Sequence, residues 1–362
     1  MKNYRLYKNY NSVKVKALIL SMLFAGSMLI GSTSCAKKKD ENGTALEGTN
    51  RTETTAPSNT EEILVPVTYY DYDLNSYEFK DNKFSIVNTD FEPSDEAYNK
   101  LMSDISSYGY NTSFIAVSLN DGMSFGYNVD KTYWSASTIK CAYALYVCKL
   151  IDEGKALFDD ILTVTSKFNS VGSGKIRYMP RGTELTLKEV LHYTLDVSDN
   201  QGYHMLNDRF KSSDFNLMLE SLGCEDMKLP SYSRFCDVNC RSFALVWQEI
   251  INYCNKNTEA GKFLYNTLLN AQYNYIKQGI TDKASLHKSG WYQGRVCNDT
   301  GVVLDEENPY IIIVLTEYNG KNQIIRISQD IDTIMEEYTL YLKENYNKIN
   351  TNKQLVYKKK TN

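Results

Sequence analysis

Histidine is scarce in this chain. There are three in 362 residues (His192, His204 and His287), and none stands at a spacing that suggests a metal ligand. Cysteine does not supply one either. Cys236 and Cys240 lie close together, but no second pair follows at zinc-finger spacing, so no metal site is expected. No apolar stretch is long enough to cross a bilayer, since the run from Ala17 to Ile30 spans only fourteen residues. Positive charge is not in surplus. The formal net charge is −4, and residues 1–34 hold five cations and no acid, which leaves the remainder near −9. That balance argues against nucleic acid as a partner, because phosphates demand a basic face. No internal repeat is visible.

What is present is enough for a large core. Hydrophobic residues make up 42%, aromatics 12% and charged residues 23% of the chain, which fits one or two folded domains rather than disorder. Lys2, Arg5, Lys8, Lys14 and Lys16 precede the short apolar run, as in a secretory signal, and the stretch GSTSC then ends at Cys35. This resembles a lipoprotein lipobox. The resemblance implies a signal over 1–34, lipidation of Cys35, and export to the outer face of the bacterial cytoplasmic membrane. An uncleaved anchor, or ordinary cleavage after Ser34, is the alternative. Seven cysteines then remain (Cys141, Cys148, Cys224, Cys236, Cys240, Cys254 and Cys297), and an odd number cannot all pair. Cys141 and Cys148, seven apart on one helix face, read as buried thiols.

Residues 36–64 are polar, Thr-rich and nearly free of aromatics, which predicts a flexible tether. Residues 65–92 carry a Tyr/Asp cluster and read as an arm of unknown role. A catalytic domain is expected over 93–347, with a basic tail over 348–362. Ser94 caps a first helix. TSFIAVSL and MSFGYN flank the turn Asn120 to Gly122 as a strand pair. Thr186 and Glu189 form a capping box, and helical patterns continue to about Asn270. SLHKSGW, GVVL and YIIIVLT then read as strands, and a helix from about Asp330 to Asn345 closes the domain. A strand pair, a helical block, a strand triplet and a helix predict one antiparallel sheet built from both ends of the domain, with helices inserted between.

One stretch asks for a chemical explanation. In YWSASTIKCAYALYVCKLIDEGK, Ser137 and Lys140 occupy the first turn of an apolar helix. A hydroxyl there sits at the positive end of the helix dipole, beside unbonded backbone N–H groups. A lysine three residues on lies on the same face. In a dry site its ammonium is easier to deprotonate, and the neutral amine can take the serine proton. Alone the pattern is weak, because Ser34/Lys37 and Ser285/Lys288 also match it and a helix cap beside a snorkelling lysine explains it equally well.

Two further motifs add weight. Ser198, Asp199 and Asn200 follow at the break between two helices, and Lys288, Ser289 and Gly290 lie on a late strand. In this order the three match the signature of serine penicillin-recognising enzymes. Over most of residues 95–345 the chain resembles the class A β-lactamase-like serine hydrolases, which are related to D,D-peptidases. The resemblance is carried by FGYNVDKTYWSASTIK, LTLKEVLHYTLDVSDNQGYHML and HKSGWYQGRVCNDTGVVL.

The resemblance implies the β-lactamase/transpeptidase-like α/β (α+β) fold. A five-stranded antiparallel sheet is flanked by helices beside an all-helical subdomain, with the site in the cleft between. It implies Ser137 as the acylated nucleophile, Lys140 as its base and Ser198 as a proton relay. Asn200 would hold a substrate amide, and Lys288 and Ser289 a substrate carboxylate. Gly290 completes the strand motif, and the N–H groups of Ser137 and Trp291 would form the oxyanion hole. No cofactor is implied, and the chain is expected to act as a monomer on a small β-lactam or a peptidoglycan peptide, tethered to a membrane by its N-terminal lipid.

The family's deacylating glutamate has no match. Its place falls at about Ser233 within LGCEDMKLPSYSRFCDVN. Glu225 and Asp226 come too early, and Asp237 comes later. Acylation at Ser137 with slow deacylation is therefore expected. A D,D-carboxypeptidase acting on peptidoglycan stem peptides and an inactive cell-wall binding module are the alternatives. Of the histidines, His192 is expected in the core, His204 could face the cleft, and His287 should point away from Lys288.

Overall fold

The run YIIIVLT has no polar face, so it needs cover on both sides. The computed structural model of the chain, which describes residues 72–360 apart from 168, 169 and 319, puts it inside a sheet. Residues 1–71, including the expected signal, Cys35 and the tether, lie outside the described residues.

The first part of the chain gives β1 (Phe84–Val87), α1 (Asp95–Ser107), β2 (Thr112–Ser118), β3 (Ser124–Tyr127) and the short β4 (Tyr133–Trp134). The helical block follows. It comprises α2 (Ile139–Asp152), the small hairpin β5 (Ile161–Thr163) with β6 (Glu184–Thr186), then α3 (Leu187–Asp196), α4 (Asn200–Arg209) and α5 (Ser212–Ser221). After β7 (Asp237–Val238) come α6 (Cys240–Cys254), α7 (Glu259–Leu269) and α8 (Tyr275–Gly279). The chain returns to the sheet with β8 (Ala284–Tyr292), β9 (Val296–Leu304) and β10 (Tyr310–Glu317), and closes with α9 (Lys321–Lys360).

The main sheet is antiparallel with strand order β1-β3-β2-β10-β9-β8. Its strands bury alternate residues on opposite faces, as the period of two requires. Ile115, Val117, Ile311, Ile313 and Leu315 join one core with α2, α3, α6 and α7. Phe114, Ala116, Ile312 and Val314 join a second core with α1 and α9. The cap at Ser94 and the capping box at Thr186 and Glu189 are present as expected.

Four expectations need correction. The sheet has six strands, not five, because the arm contributes β1 at the edge beside β3. A boundary at residue 93 therefore cuts through the sheet. The arm also inserts Leu74 into the helical core, where Arg241 bonds the Leu74 and Tyr77 carbonyls. β9 begins at Val296 rather than at Gly301, since Asn298, Asp299 and Thr300 are polar yet buried in the ladder. α9 starts nine residues early and runs through Lys360, so the backbone of the expected tail continues the helix. All seven cysteines among the described residues are buried free thiols.

The arm is held by aromatic contacts. The Phe84 ring lies 5.4 Å from Tyr98 and 5.7 Å from Phe125. Phe84 is only half-buried, so Phe84→Ala should cost about 2 kcal/mol, below the range for a fully buried phenylalanine. Urea denaturation measures this, and an unchanged midpoint would mean that the arm adds nothing to the domain.

Candidate active site

The approach to Ser137 is clamped before the helix begins. β4 pairs with β7, the Ser135 N–H donates to the Cys236 carbonyl at 2.9 Å, and Asn298 Nδ2 donates to the Trp134 carbonyl at 2.9 Å. Ala136 then takes a φ of +44°, in the left-handed region that costs a side-chain-bearing residue energy. A single 3-10 turn, Ala136–Thr138, leads into α2. Residues 139–148 of α2 are all buried, so the helix is covered on every side, and Lys140 is the one charged side chain among them. Ser137 is half-buried between two fully buried neighbours, at the positive end of that helix.

Lys140 is completely buried. Its Nζ donates to the Ser198 carbonyl and to Asn200 Oδ1, both at 2.7 Å, and lies 3.4 Å from Ser198 Oγ. Lys288, also buried, donates to Ser198 Oγ at 3.0 Å and to the Ser289 carbonyl at 2.9 Å. The two amines share one hydroxyl, so they are at most about 6.4 Å apart. Two ammonium charges that close repel by at least about 2.5 kcal/mol at an effective dielectric constant near 20. Desolvation, followed by the charge of Lys288, pulls the Lys140 pKa well below the usual lysine value, while Asp199 opposes the shift. Desolvation brings Lys288 down to about 8, with Cys141 and Asp299 opposing it.

A neutral Lys140 has two N–H bonds and one lone pair. The carbonyl of Ser198 and the amide oxygen of Asn200 take the two donors. The lone pair is then left to accept a proton from a hydroxyl, and Ser198 can pass one along between the amines.

The third motif reaches the same place. A Cβ built on Gly290 would lie 2.7 Å from the Ser137 nitrogen, 2.8 Å from that of Thr138 and 2.9 Å from the Ser135 carbonyl oxygen. Strand β8 thus lies directly against the turn that carries Ser137. Ser289 Oγ donates to the Tyr273 carbonyl at 2.8 Å, and the Trp291 side chain is exposed. Lys140, Ser198, Asn200 and Lys288 therefore meet through hydrogen bonds, and Gly290 lies against the backbone of Ser137, all at one end of α2.

Sequence reasoning missed a strap over residues 170–176. It lies along the start of α4. The Asn200 N–H donates to the Ser173 carbonyl at 3.1 Å, and Asn200 Nδ2 donates to the Val171 carbonyl at 2.7 Å. Asp199 accepts from the backbone of Lys175 and Ile176 at 2.5 and 2.8 Å, and caps α4 through Gly202. Gly172 and Gly174, at φ of +89° and +121°, were the readable signal.

The histidines divide. His192 is exposed rather than core, 3.9 Å from Asp196, because its position on α3 faces outward. His204 is half-buried with Nδ1 2.7 Å from Ser170 Oγ. Burial, then the charges of Arg234 and Lys140, lowers its pKa to about 4. His287 is buried with neither ring nitrogen hydrogen-bonded, and burial lowers it to about 3.

At the place of the expected glutamate, Ser233 Oγ donates to the Phe235 carbonyl at 2.8 Å. Its neighbour is a cation, Arg234, whose carbonyl accepts from the Tyr203 hydroxyl at 2.8 Å. Asp237 is exposed and pairs across from Trp134.

A sequence model described as Beta-lactamase enzyme family (Beta-lactamase2) matches residues 94–335. The chain belongs to the beta-lactamase enzyme family. Solved structures agree on the beta-lactamase fold. A beta-lactamase from Chitinophaga pinensis is 19% identical with a TM-score of 0.61, over 67% of this chain and 100% of that one. A beta-lactamase from Sphaerobacter thermophilus is 21% identical with a TM-score of 0.59, over 65% and 96%. PBP-A is 19% identical with a TM-score of 0.59, over 66% and 96%. A search of curated proteins finds no match.

Gly290 is where this beta-lactamase-family site tolerates no side chain. Gly290→Ala should push β8 off the Ser137 turn and cost about 1–3 kcal/mol of stability, as overpacking does. Urea denaturation measures it, and a wild-type midpoint would show that the contact is slack.

Proposed function

We propose that the protein is a serine hydrolase acylated at Ser137 by a β-lactam or a related amide or ester, and that the acyl-enzyme clears slowly. The observation that carries this reading is the convergence of two buried amines on Ser198 Oγ, with Gly290 against the backbone of Ser137.

The reaction follows from the proton inventory. Neutral Lys140 takes the Ser137 proton as Oγ bonds to the substrate carbonyl carbon. Backbone N–H groups of Ser137 and Trp291 face the developing oxyanion, an arrangement in which a single donor is worth roughly 3–4 kcal/mol. The carbon–nitrogen bond then breaks, Ser198 hands a proton to the leaving nitrogen, and Lys140 replaces it. An ester on Ser137 remains. Lys288 and Ser289 bind the substrate carboxylate, and Asn200 holds its side-chain amide. One solved neighbour, a point mutant of PBP-A, is described as an acyl-enzyme complex with penicillin G; it is 19% identical to this chain.

Hydrolysis of that ester needs a water and a base. The segment expected to supply the base holds Ser233 beside Arg234. A cation there does not deprotonate water, so the adduct should persist. The reading extends to location: export, lipidation at Cys35 and a polar tether would place the site at the outer face of the cytoplasmic membrane, where β-lactams and peptidoglycan peptides are met.

Intact mass after penicillin treatment should show one stable adduct, absent in Ser137→Ala. Prompt turnover with no adduct would remove the slow-deacylation claim, and no reaction at all would remove the acylation claim. The pH profile of acylation should be bell-shaped. The rate rises as Lys140 loses its proton through a pKa well below the usual lysine value, and falls above about 8 as Lys288 loses the charge that holds the carboxylate. A rate that keeps rising past pH 10 would contradict these roles.

A further inference from the structure

The strap over residues 170–176 is anchored unevenly. Its downstream end is fixed by Ile176, which is fully buried, and by the Asp199 carboxylate on two backbone N–H groups. At its upstream end Ser170 is buried but polar, and the next side chain, Val171, is 75% exposed, so no apolar side chain anchors it. What holds it there is polar. Ser170 Oγ lies 2.7 Å from His204 Nδ1, and the Val171 carbonyl accepts from Asn200 Nδ2 at 2.7 Å. Asn200 and His204 are four apart on α4, so they lie on one helix face and the strap runs along it.

The amide of Asn200 is fixed on both sides. Its oxygen accepts from Lys140, and one of its two N–H bonds goes to Val171. The second N–H is the one left for a substrate carbonyl. The strap must come close for this: a Cβ on Gly172 would lie 2.9 Å from Asn200 Nδ2.

We propose that Ser170 and His204 form a latch that seats the strap on Asn200 and thereby sets how firmly the site grips a substrate's side-chain amide. His204 is then a positioning residue that acts through Asn200. This rests on the acylation reading above. The ring is neutral across the physiological range, as a hydrogen-bonding partner for a hydroxyl beside Arg234 and Lys140 should be.

Two measurements on the full chain decide it. The first is hydrogen exchange over residues 170–176 in wild type, Ser170→Ala and His204→Ala. The latch predicts faster exchange over this segment in both variants, while the central strand β10 keeps its protection. The second compares acylation by benzylpenicillin, which carries a side-chain amide, with 6-aminopenicillanic acid, which has none. Each variant should lose roughly three- to tenfold with benzylpenicillin, the size of one lost hydrogen bond, and remain within about twofold of wild type with 6-aminopenicillanic acid. The double variant should be no worse than either single one, because both remove the same contact. Unchanged exchange, or equal losses with both compounds, overturns the latch. Normal acylation with slower loss of the adduct in His204→Ala overturns it too, by making His204 a base. If neither compound acylates the wild type, the functional reading fails, and exchange alone still decides whether the latch exists.

Discussion

Two buried amines around one hydroxyl set the terms for the rest of this molecule. Lys140 and Lys288 are both removed from water and both within hydrogen-bonding range or just beyond it of Ser198 Oγ. Neither charge is solvated by water, and the repulsion between them favours a state in which only one of the two amines is charged. The fold must therefore supply acceptors. It does so with the Ser198 and Ser289 carbonyls and the Asn200 side chain, each from a motif that also belongs to the site. Burial that would be a liability elsewhere here lowers the pKa of both lysines, which the proposed function needs of Lys140.

Holding three chain segments at one point is the work of the sheet and of α2. β8, at one edge, carries Lys288 and presses Gly290 on the turn before α2. The strap and α4 close the other side through Asp199 and Asn200. The opposite sheet edge is finished by β1 from the arm, far along the strand order from β8. Strained backbone marks two of the three motif segments, with Ala136 at φ of +44° and Ser198 at +54°. Such conformations persist only where surroundings fix them, and here each is followed at once by a helix.

What the residues disclosed in advance was the part whose chemistry constrains residue type. Ser137, Lys140, Ser198, Asn200 and Lys288 could be picked out because three short motifs name them, and the structure brings those motifs to one end of α2. Ser94 and Thr186 could be read because a helix start needs a side-chain acceptor. The first half of β9 was hidden because its polar residues bond inward: Asn298 to Trp134 and Thr316, Asp299 to Tyr275 and Ile276. A pattern of apolar residues cannot reveal a buried polar ladder. The arm was hidden for a different reason, since a four-residue edge strand carries little periodicity. The strap and its His204 contact depend on residues thirty apart meeting in space, which no local pattern encodes.

The reading of the protein as an acyl-enzyme former turns on the charge state of Lys140 at rest. Titrating the lysines by NMR, with 13C at Cε, observes it without any substrate. Signals assigned with Lys140→Ala and Lys288→Ala should show both amines losing their protons below the ordinary lysine range, Lys140 well below it and Lys288 near pH 8. Both amines still charged at pH 10 would contradict the account at its base.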